Sequence, residues 1–233
     1  MIAIAEEGPE HHATAAALHR AAFGGPYEAD LVERLRRDDL VAASLVALED
    51  GGVVVGHVLF SDLPVEVDGA PVRAVSLAPM AVRLDRQGCG IGTRLVPEGL
   101  PILRERGRTA VVVLGHVRYY PRFGFSAELA RKLASPFPGE AFIPDFPDGL
   151  ALCRRRASYF VARSITYGEP GSRILTDATG EKRNPRFRQR FCGLGARRPD
   201  PCGESGFMAL ELVPGALAGR AGSVRYPAAF GIA

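Results

Sequence analysis

No apolar run in this 233-residue sequence approaches the roughly 20 residues of a membrane-spanning helix. The start, Met1 to Glu7, has neither the basic opening nor the long apolar stretch of a signal peptide. Cysteine is scarce. Cys89, Cys153, Cys192 and Cys202 are the whole set, and none of their spacings is that of a zinc site or a disulfide framework. Reduced thiols in a cytoplasm are therefore expected. Charge of either sign is close to balanced. A net charge of +3 is too small to argue for nucleic acid as a partner. No Ser/His/Asp pattern and no metal-ligand spacing stands out, so neither a metal nor a membrane partner is expected. What is present, 47% apolar and 24% charged residues, describes a soluble globular chain that can bury a core in one domain.

Periodicity sets the order of elements. Residues 2–5 read as a short strand. Residues 14–23 read as an Ala-rich helix stopped by Gly24-Gly25-Pro26, and 28–37 as a second helix with Leu31, Val32 and Leu35 spaced for burial. Arg34, Arg36 and Arg37 read as a solvated face. Strands are predicted over 42–48 and 53–60, joined by the hairpin signal Asp50-Gly51-Gly52, with 65–67 extending the second arm. Asp68-Gly69 turns the chain into a strand over 72–82. These strands make an antiparallel meander. Pro79 cannot donate to a strand ladder, so it marks an edge or a bulge.

The stretch 77–120 carries the chemistry, and the meander leads into it. A strand, a turn with three alternating glycines (Gly88-Cys89-Gly90-Ile91-Gly92), a helix to about residue 106 and a strand over 109–114 make a buried βαβ unit. Glycine permits positive φ and close backbone approach. The first helical turn offers N–H groups without intrahelical partners at the positive end of the macrodipole. Together they suit a phosphate or pyrophosphate. A tight turn with no ligand would use the same glycines. Pro97 and Pro101 each remove a hydrogen bond, at roughly 3 kcal/mol in a regular interior, so a kinked or opened helix is expected.

Two nucleotide motifs fail here. A P-loop needs a Lys after the glycines, and none is present there; a dinucleotide fingerprint needs glycine where Thr93 stands. What fits is Gln87-x-x-Gly90-x-Gly92, followed by Tyr120-x-x-x-Gly124-Phe125. The pair resembles the GNAT superfamily of N-acetyltransferases, over about residues 1–142 and 207–233. The residues around it, Leu77 to Val82 and Tyr119 to Phe125, are similar to a bacterial branch of that family.

The resemblance implies a single α/β (α+β) domain with a mixed, mostly antiparallel central sheet, flanked by helices and splayed in the middle for acyl-CoA. It implies transfer of acetyl from acetyl-CoA, a co-substrate, directly to a primary amine on a small molecule or protein. Backbone N–H groups of Gln87, Gly88, Cys89, Gly90, Ile91, Gly92 and Thr93 would hold the pyrophosphate, and those near Met80, Ala81 and Val82 would polarise the thioester carbonyl. Tyr120 is the candidate acid for the leaving thiolate, although Tyr119 beside it leaves the register open. Packing in the core is the competing reading of Tyr120. The general base is not legible. His116, one helical turn before Tyr120, is a better candidate than the strand residue His57, and His11 and His12 read as exposed helix-start residues. The other classes are a non-catalytic acyl-CoA-binding regulatory module and a nucleotide-binding protein. Homodimerisation is left open.

After Phe125 the pattern changes. Pro136 to Phe142 looks like a family loop that should lead straight into the strand at Phe207, whose Met208, Leu210 and Leu212 alternate as in a half-buried strand. Between them, residues 143–206 hold 12 Arg+Lys against 7 Asp+Glu, so the chain's basic excess sits there. Poor in apolar residues, this segment reads as a basic, weakly ordered insertion at a hairpin tip. An edge strand is expected near 223–226.

Overall fold

Turn chemistry and alternation build the first half of the molecule as the sequence predicts. In the computed structural model, residues 1–136 and 206–231 are described, together with the short strands Leu175–Thr176 and Lys182–Arg183. The chain opens with β1 (Ala3–Glu6), α1 (His12–Phe23) and α2 (Tyr27–Arg37). Gly24, left-handed at φ 68°, ends α1 by giving its N–H to the Arg20 carbonyl. Then come β2 (Val41–Glu49), β3 (Val53–Val67) and β4 (Ala70–Val82), joined by hairpins whose turn residues Gly51, Gly52, Asp68 and Gly69 all have positive φ.

The second half is α3 (Ile91–Glu105), β5 (Ala110–Leu114), α4 (Ala127–Ala130), β6 (Leu133–Ala134), β7 (Leu175–Thr176), β8 (Lys182–Arg183), β9 (Phe207–Glu211) and β10 (Gly222–Val224). The sheet order is β1-β2-β3-β4-β5-β9, antiparallel except for the parallel β4–β5 pair that α3 spans. This is the mixed, mostly antiparallel sheet expected. The β7–β8 pair, with Leu175 opposite Arg183, belongs to a separate unit of residues 166–202. The loop expected over 136–142 and the insertion expected over 143–206 otherwise lie outside the described residues.

Four expectations change. α3 is assigned as one helix from Ile91 to Glu105 with Pro97 and Pro101 inside it rather than opened at them, and both prolines lie on its exposed face. β9 is buried on both faces rather than one. Met208 joins the cluster under α3, whereas Phe207 and Ala209 join a second cluster with Ala130, because α4 covers that side. β10 is not an edge, since β3 pairs with it on one side and β6 on the other. The arginines of α2 are not merely solvated. Arg34 donates to the Ala229 carbonyl at 2.7 Å, and Arg36 to Glu7 at 2.5 Å and to Glu33.

The Arg36–Glu7 pair opens a buried polar chain. Ser44 Oγ donates to Glu7 Oε2 at 2.7 Å, which leaves it to accept from His57 Nε2 at 2.9 Å. His57 Nδ1 then accepts from His19 Nε2 at 2.7 Å. His19 Nδ1 is buried with no hydrogen-bond partner, and both histidines are fully buried. The chain ties β1, β2, β3, α1 and α2 together. Both ring nitrogens of His57 are engaged within this chain.

Candidate active site

The glycine turn is held from both sides. Arg83 and Arg86 grip Glu49 of β2, with Arg86 Nε at 2.9 Å from its carboxylate, and Gln87 Nε2 donates to the Val82 carbonyl at 3.2 Å. Gly90, at φ 81°, is the N-cap of α3, and the Arg94 N–H closes the first helical bond on its carbonyl. No side chain caps this end and no acidic residue lies in the first turn. The N–H groups of Ile91, Gly92 and Thr93 therefore face outward at the positive end of a 15-residue helix. Such an end is suited to a phosphate-bearing ligand. Cys89 is exposed in the turn, where its thiol donates weakly to the Gln87 carbonyl at 3.8 Å.

β4 and β5 pair only from Ala74 to Ser76, and beyond Leu77 they part. The ladder to β3 shifts register between Val58 and Phe60, opposite the Ala78–Pro79 peptide, which is cis. Pro79 thus sits at the bulge its missing N–H demands. Arg83 donates to Val55 of β3 at 2.9 Å. By strand alternation Ala81 turns its N–H to β3 as well, and Met80 and Val82 turn theirs into the wedge. The Gln87 contact to the Val82 carbonyl agrees with that direction.

A cavity of about 230 Å³ lies in the wedge. One wall is the β4 segment from Leu77 to Met80. The opposite wall is Leu114, Gly115 and His116 with Tyr119 and Tyr120, and Phe23 and Glu28 close it from α1 and α2. Most of the surface is apolar. Tyr120 opens the 3-10 turn Tyr120–Phe123, and its ring meets Phe125 edge-on at 5.7 Å. Burial, then the nearby Tyr119, push its phenol pKa well above the ordinary value. Tyr119 reaches the start of α3, where its hydroxyl bonds the Thr93 side chain, and burial raises its pKa too. His116 Nδ1 accepts from the Arg118 N–H at 3.2 Å. Burial, then Arg118 and Arg122, lower its pKa, so the ring is neutral with its proton on Nε2.

Of the residues expected from sequence, Tyr120, His116 and Met80 share the cavity wall, Gly92 and Thr93 approach it through Tyr119 and Met80, and Ala81 and Val82 do not line it. Two features were not legible. Glu28, 7% exposed, reads in sequence as an ordinary first-turn acid of α2. Tyr119 reads as a neighbour of the motif tyrosine, and the signal for its contact is Gly92, where a Cβ would stand 2.6 Å from its hydroxyl.

Comparison with known proteins gives concordant findings. The family profile described as Acetyltransferase (GNAT) domain matches residues 6–127. Among curated proteins, the chain is 43% identical over 123 residues to "Uncharacterized N-acetyltransferase YhbS" of Escherichia coli (strain K12), covering 53% of this chain and 72% of that one. It is also 43% identical over 122 residues to "Uncharacterized N-acetyltransferase YjhQ" of the same strain, covering 50% and 66%. Among solved structures, the E. coli GNAT family N-acetyltransferase YhbS in complex with CoA superposes with a TM-score of 0.65 at 28% identity, covering 99% of this chain and 92% of that one. A GNAT family acetyltransferase from Brucella melitensis in complex with acetyl-CoA superposes with a TM-score of 0.50 at 40% identity, covering 54% and 83%.

Proposed function

This chain belongs to the GNAT family of N-acetyltransferases, and from that premise we propose that it transfers acetyl from acetyl-CoA directly to a primary amine. The observation that carries the reading is the wedge. An uncapped helix start with free N–H groups, a splayed β4 and a cavity with protonated hydroxyls in its wall lie side by side. The residues present suit acetyl-CoA, which supplies the acetyl thioester. The first turn of α3 receives negative charge. The N–H groups of Met80 and Val82 are donors for the thioester oxygen. In the transfer a C–N bond forms and the C–S bond breaks. The ammonium first releases one proton to solvent; the neutral amine then attacks and gives up one more, and the sulfur takes one to leave as the thiol.

Tyr120 is the candidate acid by position in the cavity wall; its raised pKa keeps the phenol protonated but makes it a weaker proton donor to a thiolate than an ordinary tyrosine. His116 fits the base role less well than its position suggests, because its Nδ1 lone pair is engaged by Arg118 and its other nitrogen is a donor. A water relay can carry the amine's proton instead. A cytoplasmic location is part of the same proposal. Its support is the free, exposed thiol of Cys89, which suits a reducing compartment.

Calorimetry with acetyl-CoA, followed by CoA release on an amine panel, tests the reading. Binding with turnover on at least one amine is expected. No binding at millimolar acetyl-CoA would refute it. Tyr120→Phe is expected to lower turnover by roughly 100-fold or more while leaving acetyl-CoA affinity nearly unchanged. Full turnover by that variant at saturating amine would remove Tyr120 as the acid.

A further inference from the structure

The wedge cavity is larger than an acetyl group needs. Its volume is about 230 Å³, whereas an apolar cavity of about 150 Å³ is enough to hold a benzene molecule. An acetyl thioester brings only a methyl beyond its carbonyl. The cavity runs along β4 from Met80, whose N–H is proposed above as a donor for the thioester oxygen, back to Leu77, the residue just past the last β4–β5 pair. A chain attached to that carbonyl therefore starts beside the wall and has the depth of the wedge open to it.

We infer that the wedge selects the acyl group, and that short, uncharged alkyl-acyl thioesters, butyryl-CoA among them, are bound more tightly than acetyl-CoA. The inference rests on the acetyltransferase reading above and widens its donor class. Most of the cavity surface is apolar, with Phe23, Leu77, Ala78, Pro79, Met80 and Leu114 contributing to it. Neither lysine nor arginine is among the described residues that line it, and His116 is neutral. A carboxylate on the acyl chain would find no countercharge there, a cost that an alkyl chain does not meet. The same wall favours the acyl chain over the acceptor as occupant. An amine brings hydrogen-bonding groups that an apolar surface meets at few points, whereas methylenes ask for none. A butyryl thioester reacts as the acetyl one does. The carbonyl carbon exchanges its bond to sulfur for one to nitrogen, the sulfur takes a proton to leave as the thiol, and the attacking neutral amine gives one up.

The test is calorimetry on the full chain, without any acceptor, using acetyl-, propionyl-, butyryl-, octanoyl- and succinyl-CoA. Kd is expected to fall about 2- to 4-fold with each methylene from acetyl to butyryl, the upper figure being the full worth of a buried methylene. The heat-capacity change of binding should become more negative in the same steps, as apolar surface is buried. Octanoyl-CoA should bind no more tightly than butyryl-CoA, because its tail outgrows the cavity. Succinyl-CoA, whose acyl chain is as long as butyryl but ends in a carboxylate, should bind at least about 10-fold more weakly than butyryl-CoA. A crystal structure of the butyryl-CoA complex should place the chain against Leu77 and Leu114.

The series needs no variant, so no folding defect can obscure it. Affinity that is flat or falls from acetyl to butyryl would overturn the inference and leave the cavity to the acceptor. Succinyl-CoA bound as tightly as butyryl-CoA would overturn it as well. So would affinity that keeps rising to octanoyl, which an open groove and not this cavity would give, or a butyryl chain lying outside the wedge. In those cases the acetyltransferase reading stands. If none of the thioesters binds, that reading falls and the donor class falls with it.

Discussion

Replacing Gly92 by leucine is expected to cut acetyl-CoA affinity by roughly 100-fold or more, equivalent to about 2.7 kcal/mol. The sequence suggests an obvious reason, that a side chain in the glycine turn blocks the approach of a phosphate. The structure gives a different one. A Cβ at position 92 would stand 2.6 Å from the Tyr119 hydroxyl and 3.5 Å from the Met80 side chain. Both residues line the cavity, and the Tyr119 hydroxyl is bonded to Thr93 one residue on. A larger residue must push the tyrosine off the start of α3 and Met80 into the wedge, where acyl donor and acceptor are proposed to meet. The fold should survive, because overpacking at one site typically costs about 1–3 kcal/mol.

Gly90 separates the two explanations. A Cβ there meets nothing within 4 Å, and the cost of alanine is only that of φ 81°, about 1–2 kcal/mol. Gly90→Ala should therefore weaken binding much less than Gly92→Leu. Tyr119→Phe should partly rescue Gly92→Ala, because the atom in the way is the hydroxyl. Calorimetry on these variants decides the matter. Equal losses at positions 90 and 92, with no rescue, would mean that crowding of Tyr119 is not the cause.

The elements that sequence predicts well are those whose signal is local. The meander β2–β3–β4 follows from alternation punctuated by Gly51-Gly52 and Asp68-Gly69, and those turns have the positive φ that the residues favour. The bulge at Pro79 is legible because a missing N–H is a property of one residue. The helix α3 shows the limit of that reasoning. Pro97 and Pro101 carry a penalty that assumes a buried, regular interior, and their placement on the wet face softens it. β9 fails for a related reason: alternation reports which residues face one core, but the cover supplied by α4 is a tertiary fact. Partnerships across distant segments are the least legible. Glu28 meets the wedge because α2 packs over it. Arg36 leaves the solvated face of its helix only because Glu7, 29 positions earlier, lies beneath it.

That last contact sets the second large effect, on stability. Glu7→Ala is expected to destabilise the protein by about 3–5 kcal/mol, the usual cost of removing one partner from a buried ionic pair. With native stabilities of about 5–15 kcal/mol, much of the margin would go. The Glu7 side chain is 2% exposed and receives Arg36, Ser44 and the edge of His57. Burial alone would raise its pKa. The hydrogen bonds it receives from His57, Ser44 and Arg36 outweigh burial and hold the carboxyl well below its ordinary range. His19 at the other end is shifted the opposite way in charge. Burial foremost, then His57, lower its pKa from 6.5 to about 2, so it is neutral in the native protein. The unfolded chain gains a proton on this residue below about pH 6.5 and the native chain does not, so stability falls as pH drops through 6.5. The slope is at most about 1.4 kcal/mol per pH unit from this one group. Below about pH 4.5 Glu7 adds to it, because its contribution is present above the unfolded pKa and is lost as pH falls toward the lower native one. Urea unfolding followed by circular dichroism at pH 7.5, 6.5, 5.5 and 4.5 measures both effects. His19→Gln keeps a donor for His57 Nδ1 without a titrating group, and its stability should change less between pH 6.5 and 4.5 than that of the wild type. A variant as acid-sensitive as the wild type over that window would show that the buried histidine chain is not what makes the fold sensitive to acid.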